Sequence, residues 1–161
     1  MLFRSRVVTK EMNDWLMRDF HPEEVRFALF QMYPSKALGP NGKIAFFFQK
    51  FWHRVGVDVT NAVLSCLNFG IILRNINNTH IALIPKTKDP ELITQYLPIS
   101  LCNVLYKIIS KTLVNRLKLI LPNLISDTQN AFVPRRLITD NILVAYETLH
   151  SMKKKRWGKI G

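Results

Sequence analysis

Lys86 stands where a short apolar run, Ile81-Ala82-Leu83-Ile84, ends in Pro85-Lys86; a polar turn follows, then a second short run, Pro98-Ile99-Ser100-Leu101. Two such runs about a turn read as a β-hairpin over residues 79–101. An ammonium at the end of its first strand is well placed to hold a phosphate. Lys36 and Lys43 flank a second notable segment, Gly39-Pro40-Asn41-Gly42. Proline presets φ there, and asparagine and glycine tolerate positive φ, so a tight turn is expected. Between two lysines such a turn is either plain surface or a loop whose backbone approaches a nucleic-acid strand, and its chemistry leaves both open. Catalytic groupings are scarce. His21, His53, His80 and His150 are far apart, with no motif-like carboxylate or cysteine beside them. The acidic residues show no Asp-x-Asp or Asp-Asp pair for a divalent metal, and there is no glycine-rich phosphate loop.

The elements that must position these residues come from a chain of 161 residues, 48% hydrophobic, enough for one modest domain with a core. The formal charge of +12, with a pI near 10.1, points to a polyanionic partner. The basic excess is dispersed along the chain, which suits a long nucleic-acid channel better than a basic tail, although a solvated basic surface has the same composition. Cys66 and Cys102 sit in apolar helical patterns and read as buried free thiols. No apolar run is long enough to span a bilayer, and the N-terminus lacks the pattern of a signal peptide. The expectation is therefore an intracellular protein, nuclear or cytoplasmic, with no membrane partner.

Periodicity predicts mostly helix. Met12, Leu16 and Phe20 share a face of a short first helix. His21-Pro22-Glu23-Glu24 starts a firmer one, with Val25, Leu29 and Met32 on its apolar stripe and Pro34 as its end. Phe47, Phe51 and Val55 suggest a core helix over 44–54, although such aromatics can also stack on bases. A further helix over 58–69 has Val59, Ala62, Val63, Cys66 and Leu67 inward and stops at Gly70. The longest runs over 103–121, presents Val104, Leu105, Ile108, Ile109, Thr112, Leu113, Arg116, Leu117 and Ile120 on one broad face, and stops at Pro122. Ser126-Asp127-Thr128-Gln129 offers caps for a short turn leading to Phe132. A last helix begins at Thr139-Asp140, turns Ile142, Leu143, Tyr146 and Leu149 inward, and closes on Lys153-Lys154-Lys155-Arg156. One hairpin cannot bury its own face, so it must pack on these helices or on strands outside this chain.

Taken together, KALGPNG at 36–42, HIALIPK at 80–86, QYLPISLCNVLYKIISKTLVNRLK at 95–118 and AFVPRRLITDNIL at 131–143 resemble the reverse transcriptase domain of LINE-type (non-LTR) retrotransposons, those of plant genomes most of all. The resemblance runs from about Leu16 onward, in the family's order and spacing. It implies an α+β, mostly helical fold: the fingers subdomain of a right-hand polymerase, incomplete because palm and thumb are absent. Residues 1–20 would be an N-terminal extension and residues 21–161 the partial reverse transcriptase domain. Lys86 falls where the family's lysine holds the incoming deoxynucleoside triphosphate. The 36–43 loop and the 129–136 segment would follow the template strand, making Lys36, Lys43 and Arg136 template-backbone contacts. The partners implied are an RNA template, a DNA primer and a dNTP, with missing palm, thumb and endonuclease regions of a parent polyprotein.

Several departures from the family pattern bear on activity. Leu97 stands where the family has an arginine, the second clamp on the triphosphate, and supplies neither charge nor donor. Leu38 replaces a proline and Asn41 an aspartate, both tolerable in a turn. Arg135 replaces a glycine, at a cost of about 1 kcal/mol or more if that position needs positive φ. The family's metal-binding aspartates are expected beyond Gly161, so no catalytic residue and no metal ligand is assigned here. Mg2+ is expected only in the complete domain, and no cofactor is expected on this part. Whether the chain is itself an enzyme stays open. The resemblance implies the N-terminal part of an RNA-directed DNA polymerase, catalytically incompetent alone. The alternatives are a basic RNA-binding module without catalysis, or a decayed relic with no activity.

Overall fold

The computed structural model describes residues 8–126, 129, 133 and 136–156. Its elements are α1 (Lys10–Met17), α2 (Pro22–Phe30), α3 (Ala45–Lys50), α4 (Trp52–Phe69), α5 (Arg74–Asn77), β1 (Thr79–Pro85), β2 (Tyr96–Cys102), α6 (Val104–Leu124) and α7 (Ile138–Arg156). A short 3-10 turn, Ile93–Gln95, precedes β2. The architecture is thus helix-rich with a two-stranded antiparallel sheet. Two compact units divide it: Arg18–Asn115, and the described residues up to Met17 with those from Arg116 on.

Within the Arg18–Asn115 unit, α2 begins as its residue types require. Pro22 takes the first helical position, and the Glu24 carboxylate accepts from the His21 N–H at 3.0 Å. Val25, Ala28 and Leu29 are fully buried, and with Met32 they pack in one core with Ala45, Phe48, Val59, Val63, Cys66, Ile76, Val104, Ile108 and Ile109. Gln49 ties α3 to the end of α2, its Nε2 donating to the Leu29 and Met32 carbonyls at 3.0 Å each. The Leu29 carbonyl also accepts from the Met32 N–H at 3.0 Å, so Gln49 adds to the bonds that close this helix end. Gly70 ends α4 with φ +71, and its N–H bonds the Cys66 carbonyl. That left-handed cap is the one its sequence predicts.

Several sequence expectations are corrected. The helix predicted over 44–54 breaks at Phe51 (φ −99, ψ 20), and α4 starts at Trp52. The residues buried on α3 are Ala45 and Phe48, while Phe47 is half-buried and Phe51 exposed. The break frees Phe48 to enter the core while Phe47 packs edge-on against it at 5.3 Å. On α6 the buried row is narrower than expected. Val104, Ile108, Thr112, Arg116 and Ile120 are buried at a four-residue step, and on the adjoining row Ile109 is buried and Leu105 half-buried as expected, while Leu113 and Leu117 are exposed. Nor does Pro122 stop α6, which runs on to Leu124. Proline removes one N–H and crowds the preceding turn; here that falls in the last turn, where one missing bond is tolerated. Cys102 is not helical: it ends β2, half-buried, and accepts a hydrogen bond from Thr79 Oγ1 at 3.2 Å. Cys66 is buried, and both thiols are free.

In the other unit, Arg116 is buried, with Nη1 donating to the Leu16 carbonyl of α1 at 3.1 Å. Asp140 accepts from the Leu137 N–H at 3.3 Å in the first turn of α7, which starts at Ile138, one residue before the predicted start. The inward face predicted for α7 is not found. Ile142, Leu143, Tyr146 and Leu149 are all exposed, Ile142 at 65%. No described element covers that face, so periodicity alone had no partner to act on. The 127–128 part of the capping segment and Phe132 lie outside the described residues, as does Arg135.

Candidate nucleotide and nucleic-acid interface

The hairpin pairs Thr79 with Cys102, His80 with Leu101, Ala82 with Ile99, Ile84 with Leu97 and Pro85 with Tyr96. Opposed residues share a face and side chains alternate along a strand. His80, Ala82 and Ile84 therefore lie on one face with Leu97, Ile99 and Leu101. Lys86 continues that face past the strand end. The ladder extends one step further, where the Lys86 N–H donates to the Gln95 carbonyl at 2.8 Å. Position 97 is then the diagonal neighbour of Lys86 on one face, a relation in which side chains stand about 7–8 Å apart. A cation at each of these two positions would grip one triphosphate from two sides. This chain has Lys86 and Leu97, the latter 48% exposed.

The tip that carries Lys86 is well tied. Lys86 Nζ donates to the Thr94 carbonyl at 3.1 Å, and Gln95 Oε1 accepts from the Glu91 and Leu92 N–H groups at 2.6 and 3.0 Å. An exposed ammonium with three donors, one of them spent on a carbonyl, has two donors left for a ligand. The hairpin itself is open. Ile81, Leu83, Ile84, Leu97 and Ile99 are all exposed, so the packing on helices that would bury it is not found among the described residues.

The 36–43 loop lies at the other end of the hairpin. Gly42 takes φ +65, the positive value its sequence predicts, and its N–H bonds the Gly39 carbonyl at 3.0 Å. Asn41 Oδ1 accepts from the Lys43 N–H at 3.2 Å. Gly39 is packed against the end of β2, where a Cβ would stand 2.5 Å from the Cys102 carbonyl oxygen and 2.7 Å from Asn103 backbone atoms. The backbone of the loop therefore approaches the protein itself at Gly39. Lys36 and Lys43 are exposed, with Lys43 Nζ 4.8 Å above the Phe47 ring. Seven strand residues separate this end from the tip, so the Lys36 and Lys43 loop and Lys86 are roughly 20 Å apart along β1.

Two residues that hold this geometry carried no functional signal in the sequence. Asn103 is buried at the start of α6. Its Oδ1 accepts from the Asn41 N–H at 3.2 Å, and its Nδ2 faces the carbonyls of Asn75, Ile76 and Asn78 at 3.0, 3.4 and 3.5 Å. An asparagine before a helix reads as an ordinary cap, which concealed its reach to α5 and the loop. Lys107, one turn further along α6, donates from Nζ to the Ala37 carbonyl at 2.6 Å. Burial, and then the positive charge of Lys36, hold its ammonium below the ordinary lysine pKa. The structure thus brings Lys107 and Asn103 to the backbone of the 36–43 loop at the hairpin base.

Arg136 lies in the other unit. Its Nη1 donates to the Gln129 carbonyl at 2.9 Å and to the Ser126 carbonyl, so the guanidinium closes the turn that its own segment makes. Among the described residues, no group of three or more His, Cys, Asp or Glu side chains is placed to hold a metal ion. No helix of the described residues is long and apolar enough to cross a membrane.

No protein-family model matches the chain. Over 148 residues, 92% of its length, it is 30% identical to the Transposon TX1 uncharacterized 149 kDa protein of Xenopus laevis. It spans 11% of the length of that protein. This similarity supports a transposon origin for the chain.

Proposed function

We propose that the chain is the fingers part of a retrotransposon reverse transcriptase, with the hairpin tip as its contact to the phosphates of an incoming dNTP. The observation that carries this is the hairpin register. It sets Lys86 and position 97 as diagonal neighbours on one face, the two places where the resembled family has its lysine and arginine. The similarity to a transposon protein over nearly the whole chain supports it. Lys36 and Lys43 then serve the template backbone from the base of the hairpin, and Arg136 braces its own segment of the template path.

Restoring the second clamp tests the assignment. Leu97→Arg adds a charged, forked donor beside Lys86 and is expected to tighten dNTP binding about tenfold, the scale of one charge-assisted hydrogen bond. Titration calorimetry with a dNTP reads this directly; an unchanged affinity would mean that the hairpin does not face the triphosphate. A second reading, a basic RNA-binding module without catalysis, is favoured by the +12 charge alone. It predicts salt-dependent RNA binding with no response to dNTP.

A further inference from the structure

We propose that Lys36 and Lys107 together form a seat for one backbone phosphate of single-stranded RNA at the base of the hairpin. This rests on the assignment of the 36–43 loop to the template and names the α6 residue that completes it. The geometry is specific. Lys107 bonds the carbonyl of Ala37, the residue next to Lys36, and lies within electrostatic reach of the Lys36 charge. Asn103 holds the same loop at Asn41, and Gly39 is packed against Cys102 and Asn103, so the loop backbone beyond Lys36 is held against the start of α6. Lys36 is exposed and Lys107 half-buried.

Two like charges, one of them partly desolvated, repel each other unless an anion lies between them. The charges that act on Lys107 include those of Lys36, which lowers its pKa, and Cys102, which raises it. Neither lysine has an ion-pair partner among the described residues. After the bond to Ala37, Lys107 keeps two donors and Lys36 keeps three. A phosphodiester offers two non-bridging oxygens on one charge, one oxygen for each ammonium. The dispersed positive charge of the chain favours a polymer of such groups over a single free anion.

The test is the salt dependence of binding to a single-stranded RNA oligonucleotide, compared for the wild type, Lys36→Met, Lys107→Met, the double variant and Lys50→Met. For a single strand, every phosphate that the protein no longer neutralises reduces the steepness of log K against log salt by about 0.7. Lys36→Met and Lys107→Met are each expected to show a reduction of about that size, and the double variant no more than either, because both serve the same phosphate. Lys36→Met leaves the Ala37 bond intact and so guards against a folding artefact, and Lys50→Met is expected to keep the wild-type slope. Additive reductions in the double variant, or an equal reduction in Lys50→Met, would overturn the shared seat. A wild-type slope in Lys36→Met would overturn it while leaving the dNTP assignment at Lys86 standing. Absence of RNA binding at low salt would overturn both the seat and the template assignment.

Discussion

Asn103 meets four backbone groups with one amide, and the hairpin base depends on it. Its carbonyl oxygen takes the Asn41 N–H while its NH2 group spans the end of α5. Buried at the α6 start, it cannot exchange these partners for water without opening the core. Asn103→Ala leaves the Asn41 N–H and the α5 carbonyls unsatisfied and is expected to cost about 1–3 kcal/mol. Urea denaturation measures the destabilisation, and faster hydrogen exchange at the Asn41 amide would locate it; a stability within about 0.5 kcal/mol of wild type, the scale of ordinary surface changes, would contradict the clamp. Lys86 and the glycine turn were legible in the sequence because each depends on local chemistry, a strand end and a positive φ. Asn103 and Lys107 were not, since both act on backbone groups distant in sequence that only the fold brings near. Arg116 was half legible: its place on the inner row of α6 follows from periodicity, while its bond to the Leu16 carbonyl does not.

Among the elements, α7 departs furthest from what its pattern suggests. Ile142, Leu143, Tyr146 and Leu149 are exposed, and Tyr146 stacks on His150 of the same helix at 6.2 Å. A helix draws most of its stability from an apolar face packed on something else. With that face open, α7 amides are expected to exchange at least about a hundredfold faster than those of α4, whose Val59, Val63 and Cys66 are buried. Hydrogen-exchange mass spectrometry separates the two, and equal protection would show that α7 is covered in solution. The break at Phe51 illustrates a different limit. Five aromatics in a short segment fit more than one helical register, and Gln49 together with the burial of Phe48 selects the one that seals the end of α2. The hairpin, in contrast, is predicted over 79–101 and found at Thr79–Cys102, because alternation and a polar turn fix strand pairing locally.

At the scale of the whole molecule, a basic chain places its candidate phosphate contacts at both ends of one hairpin. Lys86 is at the tip, and Lys36 and Lys107 are at the base. The overall charge and the order of the motifs were legible from residues alone, and they motivate the proposed class of ligand. The open faces of the hairpin follow from its length, since seven-residue strands in a pair have no third layer of their own. What decides between a specific grip at the tip and a diffuse basic surface is whether one lysine matters more than its neighbour. Lys86 and Lys88 are both exposed cations of the same tip, but only Lys86 continues the face that carries position 97. The measurement is dNTP binding by calorimetry at low salt to the wild type, Lys86→Met and Lys88→Met. Weakening of at least about tenfold in Lys86→Met, the scale of one charge-assisted hydrogen bond, with Lys88→Met within about twofold of wild type, is the expected result; equal effects in the two variants, or no dNTP binding by the wild type, would contradict the assignment of the hairpin tip to the incoming nucleotide.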